Sequence, residues 1–463
     1  MHSDGGRTRP IVLILAIAGL AMALSAAPAL GRTDFQRIPG YSSPGTPAKY
    51  NKVGIIKIGS KKARNVLVLS PGTSASAAYF APFARDLTAR AKNWQVWSVE
   101  RRENLLEDHS VVNRAKAGKA SPRRLFDYYL GYITDPSVTD RYRPVALEDV
   151  AFARRWGMRT AVEDLRRVVK LARKRGGRVV MGGHSLGGTI TTAYATWDFN
   201  GKAGAAGLDA LVYLDGGSGN TPTTPEQATQ TLQEIESGSP WLVFGGIPAP
   251  FAGLFNIVAS TTVRNDPKGT SLLQTWPLLP ANLKPPVPAT NEAAYGYALD
   301  ADTSPPGLAA AQVNAGRLAT SGDPRGWDRA GELSPIQRVA AVFSGTGFKG
   351  LDGTAWYHPR RLSVDSGGVA AGNANPAQPV LDVRATHGDD LDRLRIYAFA
   401  ASLGGQRVLD AAALLATQSG IPKRRLTLVD RSATYTHIDP LTASPRNAFV
   451  STLAPFLRKV ARR

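Results

Sequence analysis

Apolar and polar positions alternate along the chain in blocks that predict strands and helices in turn. Short β-rich apolar runs lie at 53–58, 65–69 and 94–99, and a helical stretch at about 77–91 precedes the third run. Because a polar turn separates the first two runs, we expect them to form a hairpin that leads into a sheet.

The clearest helical pattern covers residues 160–175. Thr160 and Glu163 form the Thr-x-x-Glu pattern of a capping box. Apolar side chains follow at helical spacing, at positions 162, 165, 168, 169 and 172. The pair Gly176–Gly177 is expected to end this helix.

A strand at 178–181, a helix at about 186–197 and a strand at 211–214 come next. Strands that alternate with helices predict an α/β fold, with a mostly parallel central sheet and helices on both faces. Residues 218–390 break this rhythm, since they hold 18 of the 32 prolines and few clear strands. We interpret them as a large insertion.

The strand and helix pattern returns after the insertion. Residues 394–400 and 426–429 are expected as strands, with a helix at about 408–417 between them. A terminal helix is expected to start at Pro445 with Ser444 as its cap. We therefore predict one domain over 53–463, preceded by an extended lead-in at 30–52 that is rich in Pro, Gly and Ser.

The first 29 residues have the pattern of a secretory signal peptide. Arg7 and Arg9 precede an apolar run at 11–24, and small residues follow up to Ala29, after which cleavage is expected. The apolar run is shorter than the ~20 residues of a membrane span, which disfavours the alternative of an uncleaved anchor. The predicted location of the mature protein is outside the cytoplasm.

Charge and composition limit the classes of function. The chain of 463 residues has a formal net charge of +20, which favours weak association with anionic surfaces, yet no nucleic-acid-binding motif accompanies it. It has no cysteine, and its six histidines show no metal-ligand spacing. We expect no metal, no cofactor and no nucleic-acid partner. Composition leaves the oligomeric state open.

The strongest chemical signal is Gly183-His184-Ser185-Leu186-Gly187. A Gly-x-Ser-x-Gly segment between a strand and a helix places its serine on a turn too tight for ordinary side chains, with the hydroxyl exposed at the helix N-terminus. A similar run, Ser402-Leu403-Gly404-Gly405, lacks the first glycine, and we interpret it as coincidence.

The segment 182–188 resembles the nucleophile elbow of lipases and esterases of the α/β-hydrolase superfamily. The order of strands, loops and helices is similar to that superfamily over residues 53–217 and 394–463. The resemblance implies the α/β-hydrolase fold, with the insertion at 218–390 as a lid or cap. It also implies that Ser185 is a nucleophile that needs a histidine base and an acid.

His437 lies between the last predicted strand and the terminal helix, where the superfamily has its catalytic histidine. The acid is less evident, because no carboxylate directly follows the strand at 394–400. Asp215 ends the strand after the nucleophile helix, a position used by pancreatic-type lipases, and we favour it over Asp410 and Asp430. Asp215 could instead bond nearby loop backbone, as aspartates before Gly-Gly turns often do.

The oxyanion of acyl transfer needs two preset N–H donors. The resemblance assigns one to Leu186 and the other to the loop after Ser70, where Thr73 is favoured and Ser74 is the alternative. Pro71 stands where the family usually has histidine. These residues together indicate a secreted serine esterase or lipase that acts on a small-molecule or lipid ester. Amide hydrolysis, acyl transfer to another acceptor, and a non-catalytic binding protein are the alternatives.

Overall fold

The computed structural model describes residues 33–219, 222–244, 246–370 and 372–462. The predicted signal peptide at 1–29 lies outside the described residues. Within the described ranges the chain forms ten strands: β1 (Thr33–Pro39), β2 (Lys52–Ile58), β3 (Asn65–Ser70), β4 (Trp94–Glu100), β5 (Val179–His184), β6 (Ala210–Leu214), β7 (Arg317–Gly322), β8 (Arg325–Asp328), β9 (Arg395–Ala400) and β10 (Leu426–Asp430).

The α-helices of the same ranges are α1 (Ala81–Arg90), α2 (Ser110–Lys116), α3 (Pro122–Tyr129), α4 (Met158–Arg173), α5 (Leu186–Thr196), α6 (Pro225–Ser237), α7 (Phe251–Asn265), α8 (Leu272–Thr275), α9 (Asn291–Leu299), α10 (Ile336–Ser344), α11 (Arg360–Asp365), α12 (Gln378–Leu381), α13 (Gln406–Gln418), α14 (Asp439–Thr442) and α15 (Ala448–Ala461). No helix of the described residues is long and apolar enough to cross a bilayer.

Eight strands form one sheet in the order β1-β2-β4-β3-β5-β6-β9-β10, and β7 and β8 form a separate pair. Of these eight, β2 runs antiparallel to both of its neighbours, and the remaining pairs are parallel. Parallel strands need both faces covered, and their apolar runs here are almost entirely buried. The predicted mostly parallel sheet is confirmed.

Helices cover both faces of this sheet. Successive residues of a strand point to opposite faces, so Leu67 lies in one buried cluster and Val68 in the other. The first cluster includes Phe83 of α1 and Phe449 of α15, and the second includes Leu165 of α4. These two cores hold the sheet and thus fix the positions of the loops at its carboxyl edge.

A third buried cluster joins two parts of the chain that are distant in sequence. One part is residues 101–157, between β4 and α4, and the other belongs to the insertion. The rings of Trp156 and Trp241 pack against each other across the two parts. We call residues 101–157 and 241–276 the cap segments. The rest of the insertion is divided between clusters, because Val339 of α10 packs into the first core and Trp356 packs into the third cluster.

One sequence expectation about strands is wrong, and one segment expected as an extended lead-in joins the sheet. The runs at 53–58 and 65–69 do not form a hairpin, since β2 pairs with β1 and β4, and β3 pairs with β4 and β5. The predicted lead-in contains β1, which pairs with β2 from Thr33↔Ile58 to Pro39↔Lys52. Strand β4 lies between β2 and β3 in the sheet, so the turn that separates β2 from β3 in sequence does not make them partners.

Two predicted helix starts are also wrong. Helix α4 begins at Met158 after Gly157, so Thr160 lies inside its first turn and donates to the carbonyl of Arg155 at 3.2 Å. The terminal helix α15 begins at Ala448 and not at Pro445, because the Asn447 side chain caps it by accepting from the amide of Val450 at 3.1 Å.

Candidate active site

Ser185 lies on the tight turn between β5 and α5. Its φ of +56° is a conformation that side chains with a Cβ rarely adopt, and it directly precedes the first residue of α5. The flanking glycines permit the turn, because a Cβ on Gly183 would lie 2.0 Å from the carbonyl oxygen of Gly187. Strand, turn and helix therefore present Ser185 at a helix N-terminus, where the helix dipole favours negative charge.

His437 and Asp215 form a buried pair beside this turn. His437 Nδ1 lies 2.6 Å from Asp215 Oδ2, and both side chains are almost fully buried. The other carboxylate oxygen accepts from the amides of Ala401 at 2.7 Å and Gly404 at 3.0 Å. Burial acts to raise the pKa of Asp215, but the hydrogen bond and charge of His437 and the Ala401 amide hold it below its ordinary value.

The pair lies against the elbow through two backbone contacts. The Ser185 amide donates to the carbonyl of Leu214, the residue before Asp215, at 3.0 Å. The centroids of the His184 and His437 rings lie 4.2 Å apart, and His184 Nε2 donates to the His437 carbonyl at 2.9 Å. Asp215 and His437 are thus paired directly, and both lie next to the turn that carries Ser185.

A hydrogen-bonded chain connects His184 to the loop after β3. Because a carbonyl can only accept, His184 Nε2 carries the proton, which leaves Nδ1 as an acceptor for the Tyr79 hydroxyl at 3.1 Å. The same hydroxyl accepts from the amide of Gly72 at 3.0 Å. The backbones of the Gly72 loop and of His437 are therefore held by one buried imidazole.

The loop after β3 is fixed by buried side chains from elsewhere. Arg101 donates to the carbonyls of Pro71 at 3.0 Å, Gly72 at 3.1 Å and Ala75 at 3.0 Å. The amide of Ser74 donates to His358 Nδ1 at 3.2 Å, and Ser74 has a positive φ of 48°. Since the Ser74 amide already has an acceptor, this geometry favours Thr73 over Ser74 as a donor to substrate.

The residues around the turn differ in exposure. Thr73, Ser74, Ser185 and Leu186 are half-buried, whereas the residues on either side of them in the two loops are mostly buried. The proposed nucleophile and donors are therefore the part of this region that a substrate could reach.

The two alternative acids lie elsewhere. Asp410 is exposed on α13, where it accepts from Gln406 Nε2 at 2.8 Å. Asp430 is exposed at the end of β10 and accepts from the amide and hydroxyl of Ser432. In this structure neither carboxylate pairs with His437.

Sequence reasoning did not assign parts to Tyr79, Arg101 and His358. Each acts on the Gly72 loop through a hydrogen bond, and His358 reaches it from 284 residues away. The only sequence signal for such a role was the departure of Pro71 from the family pattern, which implies a differently supported loop.

Comparison with known proteins rests on structure. No family model matches the sequence, and no curated protein matches it. A candidate lipase from Sulfolobus solfataricus superposes with a TM-score of 0.52 at 15% identity, covering 93% of this chain and 94% of that one. A structure described as a lipase in its open form gives a TM-score of 0.41 at 15% identity, with 93% and 100% covered.

The chain has the α/β-hydrolase fold. The eight-stranded sheet, its helices on both faces and the similarity to the Sulfolobus structure agree on this point. In an α/β-hydrolase fold the functional side chains lie on loops at the carboxyl ends of parallel strands. Ser185 and Asp215 follow β5 and β6 directly, and Thr73 follows β3, so all three are at that edge.

Proposed function

We propose that this protein is an exported serine hydrolase that cleaves carboxylic esters, with Ser185, His437 and Asp215 as nucleophile, base and acid. The observation that carries the proposal is the buried 2.6 Å contact between His437 Nδ1 and Asp215 Oδ2, next to an elbow that presents Ser185. Export is inferred from the sequence of residues 1–29 alone.

Asp215 would set the tautomer of His437. A neutral imidazole that donates Nδ1–H to the carboxylate has its lone pair on Nε2, the nitrogen that must accept the Ser185 proton. Because Asp215 also accepts hydrogen bonds from two backbone amides, its position does not depend on the histidine alone. The carboxylate then stabilises the imidazolium that forms during attack.

The reaction would proceed in two steps. His437 takes the Ser185 proton as the serine oxygen attacks the ester carbonyl, and it returns the proton to the leaving alkoxide when the acyl-enzyme forms. Water then attacks the acyl-enzyme with His437 again as base, and this releases the acid and Ser185. The amides of Leu186 and Thr73 would stabilise the oxyanion in both steps.

The apolar insertion favours an ester with an apolar acyl or aryl group. A groove of about 550 Å³ lies on the cap segments, and its lining includes Tyr132, Phe255 and Trp276. None of the three proposed catalytic residues lines it. Acyl preference is therefore best measured directly with p-nitrophenyl esters of increasing chain length.

Replacement of Asp215 by Asn tests the acid. The side-chain amide of the Asp215→Asn variant could still accept backbone hydrogen bonds but would favour the wrong His437 tautomer, so we expect kcat for ester hydrolysis to fall on the order of 10³–10⁴-fold. Asp410→Asn is the matched control, since Asp410 is exposed, and its kcat should stay near that of wild type. Near-normal turnover by a folded Asp215→Asn variant would show that Asp215 is not the acid.

A further inference from the structure

Three buried polar side chains meet where a cap segment approaches the insertion. Glu107 and His109 belong to the loop before α2, and Asp352 belongs to the loop between α10 and α11. The side chains of Glu107, His109 and Asp352 are 1%, 7% and 0% exposed. None of the three takes part in the proposed ester hydrolysis.

The Glu107, His109 and Asp352 atoms that face one another are about as far apart as the ligand atoms of a metal site. His109 Nε2 lies 3.0 Å from Asp352 Oδ2 and 3.3 Å from Glu107 Oε2, and all three atoms lie within 4.8 Å of one another. In tetrahedral zinc sites with bonds of about 2.0–2.2 Å, neighbouring ligand atoms are about 3.3–3.6 Å apart. One ion could therefore contact all three with small side-chain movements.

Glu107 Oε2 supplies an independent observation. This atom is buried and has no hydrogen-bond partner among the described residues, and it faces His109 Nε2. A buried carboxylate oxygen without a hydrogen bond is costly, so an atom in this position indicates a missing partner.

The remaining oxygens are held in place by outer contacts. Glu107 Oε1 accepts from the amide of Trp356 at 2.8 Å, and Asp352 Oδ1 accepts from the amide and hydroxyl of Thr354 at 2.6 and 2.8 Å. Trp356 Nε1 donates to Asp352 Oδ2 at 3.0 Å. Metal-binding carboxylates are commonly oriented by hydrogen bonds of this kind.

Among the described residues no Lys or Arg side chain forms an ion pair with Glu107 or Asp352, although the charge of Lys116 acts on Asp352 from a distance. Lys116 Nζ donates to the carbonyls of Phe348 at 3.1 Å and Leu351 at 2.6 Å, and Arg101 pairs with Glu103 at 2.5 Å. Two buried carboxylates that share a single imidazole are expensive to desolvate. A divalent cation would offset that cost.

We propose that Glu107, His109 and Asp352 bind one divalent transition-metal ion of the zinc class. One imidazole and two carboxylates suit Zn²⁺ better than Ca²⁺ or Mg²⁺, which prefer sets made of oxygen alone. Water would complete the four-coordinate shell. Sequence analysis missed the set because Asp352 is 243 residues from His109, so no ligand spacing exists along the chain.

The ion would fasten the cap segment 101–157 to the insertion. It would also lie close to the loop after β3, because the Ser76 hydroxyl donates to the carbonyl of Asp352. The proposal does not rest on the ester-hydrolase function, and it concerns structure rather than chemistry at Ser185.

Metal content and thermal stability test the site directly. Protein purified without a histidine tag is stripped with chelator, reloaded with Zn²⁺, dialysed and analysed by elemental mass spectrometry. We expect one zinc per chain, and we expect chelation to lower the Tm by several degrees. Wild type that retains no stoichiometric zinc after reloading, with a Tm insensitive to chelator, would overturn the proposal.

Variants locate the ion. Glu107→Gln and His109→Gln should each weaken zinc binding by more than about tenfold. His387→Gln is the matched control, since His387 also lies between two carboxylates, Asp390 at 2.6 Å and Asp198 at 3.5 Å, but is more exposed. Zinc retained in full by folded Glu107→Gln and lost in His387→Gln would place the ion at the surface and contradict the assignment.

Discussion

His184 precedes the proposed nucleophile, and its ring bonds Tyr79 and the backbone of His437 instead of the serine. Burial and, to a smaller extent, the nearby charge of His437 lower its pKa to about 3, against the opposing effect of Asp215. Neutral His184 donates from Nε2 and accepts at Nδ1. Protonation would remove that acceptor and break the bond from Tyr79.

The depressed pKa of His184 predicts a pH-dependent stability. Unfolded His184 binds a proton below about pH 6.5, whereas the folded group does not until about pH 3. Its contribution is therefore complete above pH 6.5 and is lost as the pH falls, by about 1.4 kcal/mol per unit.

His184→Gln keeps one donor and one acceptor but cannot titrate. We expect wild type to lose about 2 kcal/mol more than this variant between pH 6.5 and 4.5, as measured by urea unfolding. His387→Gln, at a more exposed histidine, is the control. Equal losses in wild type and His184→Gln would contradict the account of this residue.

Site residues that belong to a local sequence motif could be predicted, and those defined only by tertiary contacts could not. The elbow around Ser185 is a local pattern of glycines between a strand and a helix, so it was visible. Asp215 and His437 are 222 residues apart, and it was the resemblance to the α/β-hydrolase superfamily that indicated both positions. Tyr79 carries no motif, and its contact with His184 depends on tertiary packing across 105 residues.

At the scale of elements, the site depends on close approach between β5, α5 and the loops after β3 and β6. A Cβ on Gly187 would lie 2.1 Å from the Ser70 carbonyl oxygen, and one on Gly188 would lie 2.4 Å from the carbonyl oxygen of Gly216. Backbone atoms cannot move aside as a flexible side chain can. The glycines of this motif thus let three loops meet at one point.

Gly183→Ala tests this packing. The new methyl group would lie 2.0 Å from the Gly187 carbonyl oxygen, so we expect a loss of about 3 kcal/mol in stability and a large fall in ester turnover. Gly307→Ala is the control, since a Cβ added at Gly307 would meet no atom within 4 Å and its φ is ordinary. A Gly183→Ala protein as stable and active as the control would contradict the role of close approach.

Elements with their own periodicity were predictable, and their partners were not. The apolar runs of β2 and β3 were found, but their neighbours follow from sheet order, in which β4 lies between them. The Thr160 capping pattern failed because packing extended α4 by two residues. The insertion was expected to form a lid or cap, but the part played by residues 101–157 was not, because Trp156 and Trp241 are distant in sequence and only the fold brings them together.

At the scale of the whole molecule, one buried ion pair joins three regions. Arg102 Nη2 lies 2.6 Å from Asp164 Oδ1, and Arg102 also donates to Asn51 Oδ1 at 2.8 Å and the Tyr41 carbonyl at 3.0 Å. These contacts connect the segment after β1, the first cap segment and α4. Burial raises the pKa of Asp164 above its ordinary value, although the charge of Arg102 opposes that rise.

Arg102→Ala would leave the Asp164 carboxylate buried without its cation. We expect a loss of about 3–5 kcal/mol in the free energy of unfolding at pH 7.5. The loss should shrink at lower pH, as Asp164 takes up a proton. Arg317→Ala is the control, because the pair of Arg317 with Asp328 is exposed and should contribute far less. Equal effects of the two substitutions would contradict this account.

The measurement that tests the central claim most directly is covalent labelling by a fluorophosphonate, read by intact mass and peptide mapping. We expect one adduct per chain, located on Ser185 and absent from Ser185→Ala. Ser402→Ala is the control, since Ser402 lies in a similar Ser-Leu-Gly-Gly run and is exposed, and its labelling should equal that of wild type. No adduct on folded wild type, or undiminished labelling of Ser185→Ala, would contradict a serine nucleophile at position 185.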